Sequence, residues 1–216
     1  MSKTLKTTRT TVRRLPKRAA YDFDSIAAIL DAGFLCHVGF VADGQPYVIP
    51  TAYGRDGHTL YLHGSAVSRT LRELATAIPM CLTVTHLDGL VLARSGFHSS
   101  MNYRSVVILG SARKVERDEK AHALAVISEQ ILPGRWAEIR GPTRKELNAT
   151  AVLALPIDEG SAKVRTGPPA DDEEDYAMPI WAGVLPLSLR AGPPIPDPRL
   201  PEGVPVPAYL KRYGRH

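Results

Sequence analysis

The hydrophobic pattern alternates between a period of two and a period of three to four, and the two periods mark different elements. Phe34 to Val41, Gln45 to Tyr53 and Thr59 to His63 read as three strands. They are separated by Asp43-Gly44 and Asp56-Gly57, dipeptides suited to tight hairpin turns, so an antiparallel meander is predicted. Ahead of it, Ile26, Ile29 and Leu30 share one face of a helix from Asp24 to Asp31, with Asp24 as N-cap and Gly33 as stop. From Ser65 to Ala77 the period changes: Val67, Leu71, Leu74 and Ala75 recur at helical spacing, and Pro79 closes the helix.

Met80 to Thr85 is predicted as a fourth strand, 86–101 as a loop or hairpin, and Ser105 to Val115 as a long strand. A helix follows from Asp118 to Ile131, then strands at Ala149 to Leu155 and Ile180 to Leu187, with Lys163 to Arg165 extending the sheet. Short strands with a few segregated helices define an α+β fold built on a small barrel. Gly192 to Pro207 is proline-dense and predicts an extended surface segment. The expected organisation is a basic flexible arm (1–18), one folded domain (19–190) and a proline-rich extended tail (191–216).

Composition adds limits. Hydrophobic residues make up 44% and charged residues 23% of the 216, ordinary for a globular chain. No apolar run approaches the ~20 residues that span a bilayer, and the N-terminus has no secretory h-region, so a cytoplasmic protein without membrane contact is expected. The net charge of +5 belongs to the arm: residues 1–18 carry seven basic residues and no acid, leaving 20 basic against 22 acidic in the rest. A solvated terminus is favoured over a nucleic-acid contact, with Arg13 and Arg14 also placed to border an anionic ligand. Cys36 and Cys81 sit in apolar strands as buried thiols, outside any CxxC or Cys/His cluster. The histidines 37, 58, 86, 98 and 122 have no metal-ligand spacing, and no metal site is expected; His98 sits in a loop able to line a substrate pocket.

The residues that carry chemistry run from Gln45 to Leu74. Tyr61-Leu62-His63 leads through Gly64-Ser65 to Ser68-Arg69-Thr70 at a helix start. Free backbone N–H groups, hydroxyls and a guanidinium there suit a phosphate, and equally suit a capped helix with a surface arginine. Tyr47-Val48-Ile49-Pro50-Thr51 is apolar and interrupted by Pro50, so the strand is expected to deviate there and to offer backbone groups to the edge of a flat heterocycle.

Gly44 to Pro50, Leu60 to Gly64, Ser68 to Leu71 and Tyr103-Arg104-Ser105-Val106 together resemble the pyridoxamine 5′-phosphate oxidase-related flavoproteins, nearest the branch of the nitroimidazole-resistance proteins. The likeness covers roughly residues 12–190. It implies an antiparallel split β-barrel that binds FMN between the subunits of a homodimer, with F420 or heme as alternative occupants. By that resemblance Val48, Ile49, Pro50 and Thr51 lie along the flavin ring. His63, Gly64 and Ser65 border ribityl and phosphate, and Ser68, Arg69 and Thr70 form the phosphate clamp, with Thr70 standing where the oxidases have lysine. Arg104 and Ser105 approach from the second subunit. Trp181 packs near the ring or in the core, and His63 is a structural histidine or a proton donor. The oxidases' C-terminal pyridoxal-phosphate residues have no counterpart, so an oxidoreductase acting on another small molecule is expected, with a non-catalytic flavin store or sensor as the alternative. No catalytic residue is singled out.

Overall fold

The computed structural model describes residues 4–214, apart from the side chain of Arg117. The chain opens with β1 (Ala19–Ala20) and α1 (Phe23–Asp31), then the meander β2 (Leu35–Ala42), β3 (Gln45–Asp56) and β4 (Thr59–Ser65). A short α2 (Arg69–Leu74) precedes the long hairpin β5 (Pro79–Leu92) and β6 (Ser100–Ser111). After β7 (Arg113–Lys114) come α3 (Arg117–Ile131), α4 (Arg144–Ala149), β8 (Thr150–Pro156) and β9 (Gly160–Arg165). β10 (Gly183–Pro186) and α5 (Ala208–Lys211) end the chain.

All pairings are antiparallel, in the order β1-β9-β6-β5-β2-β3-β4-β8-β7, with β10 on β5. β3 joins the halves. Its residues 45–52 pair with β2, and only Tyr53 to Asp56 pair with β4. Beyond Tyr53↔Leu62 the strands part, and the sheet splits there without closing.

Inward residues of both halves (Val38, Phe40, Leu62, Leu82, Ile108, Leu153, Leu155) pack with Ile26, Ile29 and Leu30 of α1. Each fully buried Leu or Ile contributes about 1.5–3 kcal/mol. α3 covers the other face of the β4–β8 half through Ala123 and Ile127, against Tyr61, Val152 and Ala154.

The end of α1 is held by side chains from three elements. Tyr53 Oη donates to Leu30 O, His86 Nε2 lies 2.9 Å from Ile29 O, and Gln130 Nε2 donates to Gly33 O (2.6 Å) and Leu30 O (3.2 Å). Gln130→Ala is expected to cost about 1–3 kcal/mol, because the Gly33 carbonyl loses its amide donor in a partly buried place, while Leu30 O keeps Tyr53 Oη. Urea unfolding measures this.

Several sequence expectations need correction. Asp22, not Asp24, caps α1, accepting from Ser25 N at 2.8 Å. α2 has six residues, because Ser68 N bonds back to Ser65 O in a turn and Ala77 takes a left-handed φ of 62°. Of the two readings offered for 86–101 the hairpin holds, with a register shift between Leu87 and Gly89 and an irregular tip. α4 was missed although Thr143 and Glu146 form a capping box. The N-terminal stretch is not free over residues 4–12: Leu5 is buried, its N–H bonds Tyr21 O, and Arg9 and Thr7 bond the Glu159 carboxylate. Met1 to Lys3 lie outside the described residues. The tail over 188–206 is exposed, with turns at Asp197–Leu200 and Pro201–Val204, and the chain after it docks near the end of α3 through Tyr209–Glu138 and Tyr213 Oη to Ile131 O. Arg215 and His216 lie outside the described residues.

Candidate functional site

Where β3 and β4 diverge, a cleft of about 110 Å³ opens, floored by Val38, Leu62, Leu71 and Leu74. Ile49, Pro50, Thr51, His63, Gly64, Ser68 and Thr70 complete its wall. These seven of the expected site residues therefore meet in space, although they come from two strands and a helix start.

Strand parity explains the edge. Tyr53 N donates to Phe34 O, so the odd-numbered backbone groups of β3 face β2. The even ones, at Pro46, Val48, Pro50 and Ala52, face the gap. Proline there sacrifices no ladder bond, so β3 runs straight through His37↔Pro50 without the expected deviation. The N–H of Val48 and the carbonyls of Val48 and Pro50 are left at an open edge. The Val48 side chain stands on the outer face of the sheet, 67% exposed.

His63 is the unusual polar group. Its Nδ1 is buried and has no hydrogen-bond partner, and burial holds its pKa below the ordinary imidazole value, so the ring is neutral at pH 7. Buried ring nitrogens normally find a partner, so the cleft wall carries an uncompensated polar atom at this point. At the mouth, the Arg69 guanidinium stacks 4.4 Å over the Tyr47 ring, which in turn stacks on Phe40. Ser65 is exposed, its Oγ accepting from Val67 N at 3.4 Å. α2 is too short for a substantial dipole, and no side chain caps it.

Besides Val48, Ser65 and Arg69, which border the opening, three expected residues lie away from the cleft within one chain. Arg104 forms a fork with Asp88 (2.8 and 3.0 Å), and Ser105 Oγ donates to Lys163 O at 3.2 Å. Both lie on β6, separated from β3 by β5 and β2. Trp181 is 69% exposed and folds over Gly183, where an added Cβ would stand 2.9 Å from the indole. Both cysteines are free; burial pushes the Cys36 thiol up to about 12, which leaves it inert.

The acidic run from Asp171 has a role that composition did not reveal. The Asp171 carboxylate, fully buried, accepts from Arg94 N (2.9 Å) and Nη1 (3.0 Å), and His98 Nε2 sits 3.2 Å from Asp172. The run clips the chain after β9 to the tip of the β5–β6 hairpin.

An antiparallel sheet that splits along one strand, with a cleft at the split, defines the class: an α+β split β-barrel. Residues 22–164 match a family described as pyridoxamine 5′-phosphate oxidase, and the chain belongs to that family. Two solved structures match it almost end to end. The flavocytochrome Anf3 from Azotobacter vinelandii is 45% identical, with a TM-score of 0.90 over 96% of this chain and 97% of that one. The FAD and heme binding protein from Mycobacterium smegmatis is 40% identical, with a TM-score of 0.88 over 92% and 98%. A protein assigned as a 5-nitroimidazole antibiotic resistance protein from Bacteroides thetaiotaomicron is 26% identical, with a TM-score of 0.58 over 68% and 86%. The search of curated proteins found no match. Among the described residues no helix is long and apolar enough to cross a membrane.

Proposed function

We propose that this chain is a redox protein that holds a flavin, and with it a heme, in clefts shared between two copies of itself. The observation that carries the reading is the buried, partnerless Nδ1 of His63 at the split of the sheet. An imidazole nitrogen with no protein partner suits a cofactor contact: His63 would hydrogen-bond a flavin or help hold a heme, which would supply one-electron chemistry. The backbone edge at Val48 and Pro50 suits the rim of a flat ring, and Ser68, Thr70 and Arg69 suit the polar end.

FAD is proposed in place of FMN, because one of the two nearly full-length relatives is named for FAD and heme and the other is named a flavocytochrome. A bound flavin exchanges hydride or single electrons with a small molecule, and heme exchanges single electrons. The protein's share is to bind, orient and shield them.

A second copy follows from size and surface. About 110 Å³ is well below the roughly 300–1,000 Å³ of sites that enclose a ligand of this kind. The outer face of β2, β3 and β5, carrying Leu35, Val41, Val48 and Leu87, is exposed, and a two-fold partner is the usual cover. That partner would also bring Ser105 and Trp181 toward the cleft. The test is to titrate the full chain with FAD and with hemin, following absorbance and light scattering. Saturable flavin binding by a dimer is expected; a monomer that fills with flavin contradicts the shared site.

A further inference from the structure

We propose that Arg18, Lys163 and Arg165 form an oxyanion subsite on the outer face of the sheet for the second, adenylate-side phosphate of FAD, beyond the first phosphate that Ser68, Arg69 and Thr70 suit. The proposal rests on the flavin reading for its ligand, and on the following geometry for its place.

Pairing of β6 with β9 sets Tyr103 opposite Arg165 and Ser105 opposite Lys163. Val106, Ile108 and Ala162, out of step with these by one residue, are buried in the core. Tyr103, Ser105, Lys163 and Arg165 therefore share the opposite face, the one proposed to meet the second copy. Arg18 enters the same corner immediately before β1, which pairs with β9.

Arg165 is only 8% exposed, yet its guanidinium touches neutral groups alone: Asn102 Oδ1, and the carbonyls of Gly167 and Pro168 at 3.4 Å. Among the described residues three other well-covered arginines are matched to acids, Arg55 with Asp31, Arg94 with Asp171 and Arg104 with Asp88. Arg165 instead feels the like charge of Arg18, and that repulsion adds to burial in lowering its pKa. Among the described residues, neither Arg18, Lys163 nor Arg165 has a carboxylate within 4 Å. Cations gathered and partly desolvated without a counter-charge cost free energy that an anion offsets. Guanidinium groups recognise phosphate with two parallel bonds. The Asn102–Arg165–Gly167 contacts explain how the turn after β9 is fastened, but not why a second arginine and a lysine stand beside it.

The variant that tests this is Arg18→Gln with Lys163→Gln, which leaves the Arg165 contacts intact. Full-length protein is titrated with FAD, FMN and riboflavin by fluorescence. The double variant is expected to lose about tenfold or more in affinity for FAD, with FMN and riboflavin binding unchanged. Equal loss for FMN or riboflavin, or no loss for FAD, overturns the subsite. A second measurement stands apart from the flavin reading: inorganic pyrophosphate should raise the melting temperature of the wild type and not of the variant. If the wild type binds no flavin, the pyrophosphate arm alone decides, and equal shifts or none in both proteins refute the subsite.

Discussion

Gly54→Ala is expected to destabilise the protein by an amount at or beyond the upper end of the usual overpacking cost of about 1–3 kcal/mol. A Cβ on Gly54 would lie 2.7 Å from both Cα and N of Ile127, and 2.8 Å from the carbonyl carbon of Val126. These are backbone atoms of α3, so no rotamer change relieves the clash. The helix must lift from the sheet, and with it go the buried contacts of Ala123 and Ile127 with Tyr61, Val152 and Ala154. Gly141→Ala is the control: nothing stands within 4 Å of its added Cβ, and its melting temperature should match the wild type. A Gly54→Ala protein that melts with the wild type would show that α3 does not sit this close to β3.

His63→Leu is expected to move stability and binding in opposite directions. The lining around the ring is apolar, with Val38, Ile49, Leu62, Leu71 and Leu74, and leucine fits such a site. Removing a buried nitrogen that has no partner should stabilise the cofactor-free protein by about 1–3 kcal/mol, while cofactor binding is lost. Acid sensitivity should change too. Burial holds the folded pKa of His63 below its ordinary value, so the unfolded chain takes up the proton first. Stability conferred by the neutral ring is therefore present above about pH 6.5. It is lost as pH falls from there toward the folded pKa. The leucine variant should lack that decline. Urea melts of both cofactor-free proteins across this range decide it, and a variant less stable than the wild type would mean that His63 has a structural role.

Local chemistry in the sequence carried the meander. Asp43 and Gly44 both adopt positive φ, 51° and 76°, as a two-residue hairpin turn requires, and the strands on either side follow from it. The cleft was legible for the same reason: Ile49 to Thr51 and His63 to Thr70 lie on consecutive strands and the turn after them. What was illegible depended on distant pairing. The strand order puts two strands, β5 and β2, between β3 and Arg104 and Ser105 of β6, which only the long-range β5–β6 and β2–β5 pairings determine. The docking of residues 4–12 depends on Glu159, some 150 residues downstream, and a run of basic residues gives no sign of that acceptor. Pro50 was expected to make the strand deviate, but the strand around it is straight, because the free edge already accommodates the missing N–H.

Arg69 shows how a motif's meaning shifts with its neighbours. As part of Ser-Arg-Thr it reads as a phosphate contact; in the fold it is parked on Tyr47, an aromatic platform at the mouth of the cleft. The cation–π contact holds the guanidinium near the opening without neutralising it, so the charge is still available to an anion.

The most direct test of the account is to identify what the protein carries. Full-length protein, freshly purified, is denatured, and the small molecules released are identified by mass spectrometry, with absorption spectra taken beforehand. The account predicts a flavin, as FAD, together with heme, and their loss from the His63→Leu variant. Protein that releases no flavin of any form and stays colourless after incubation with FAD, FMN and hemin would contradict it.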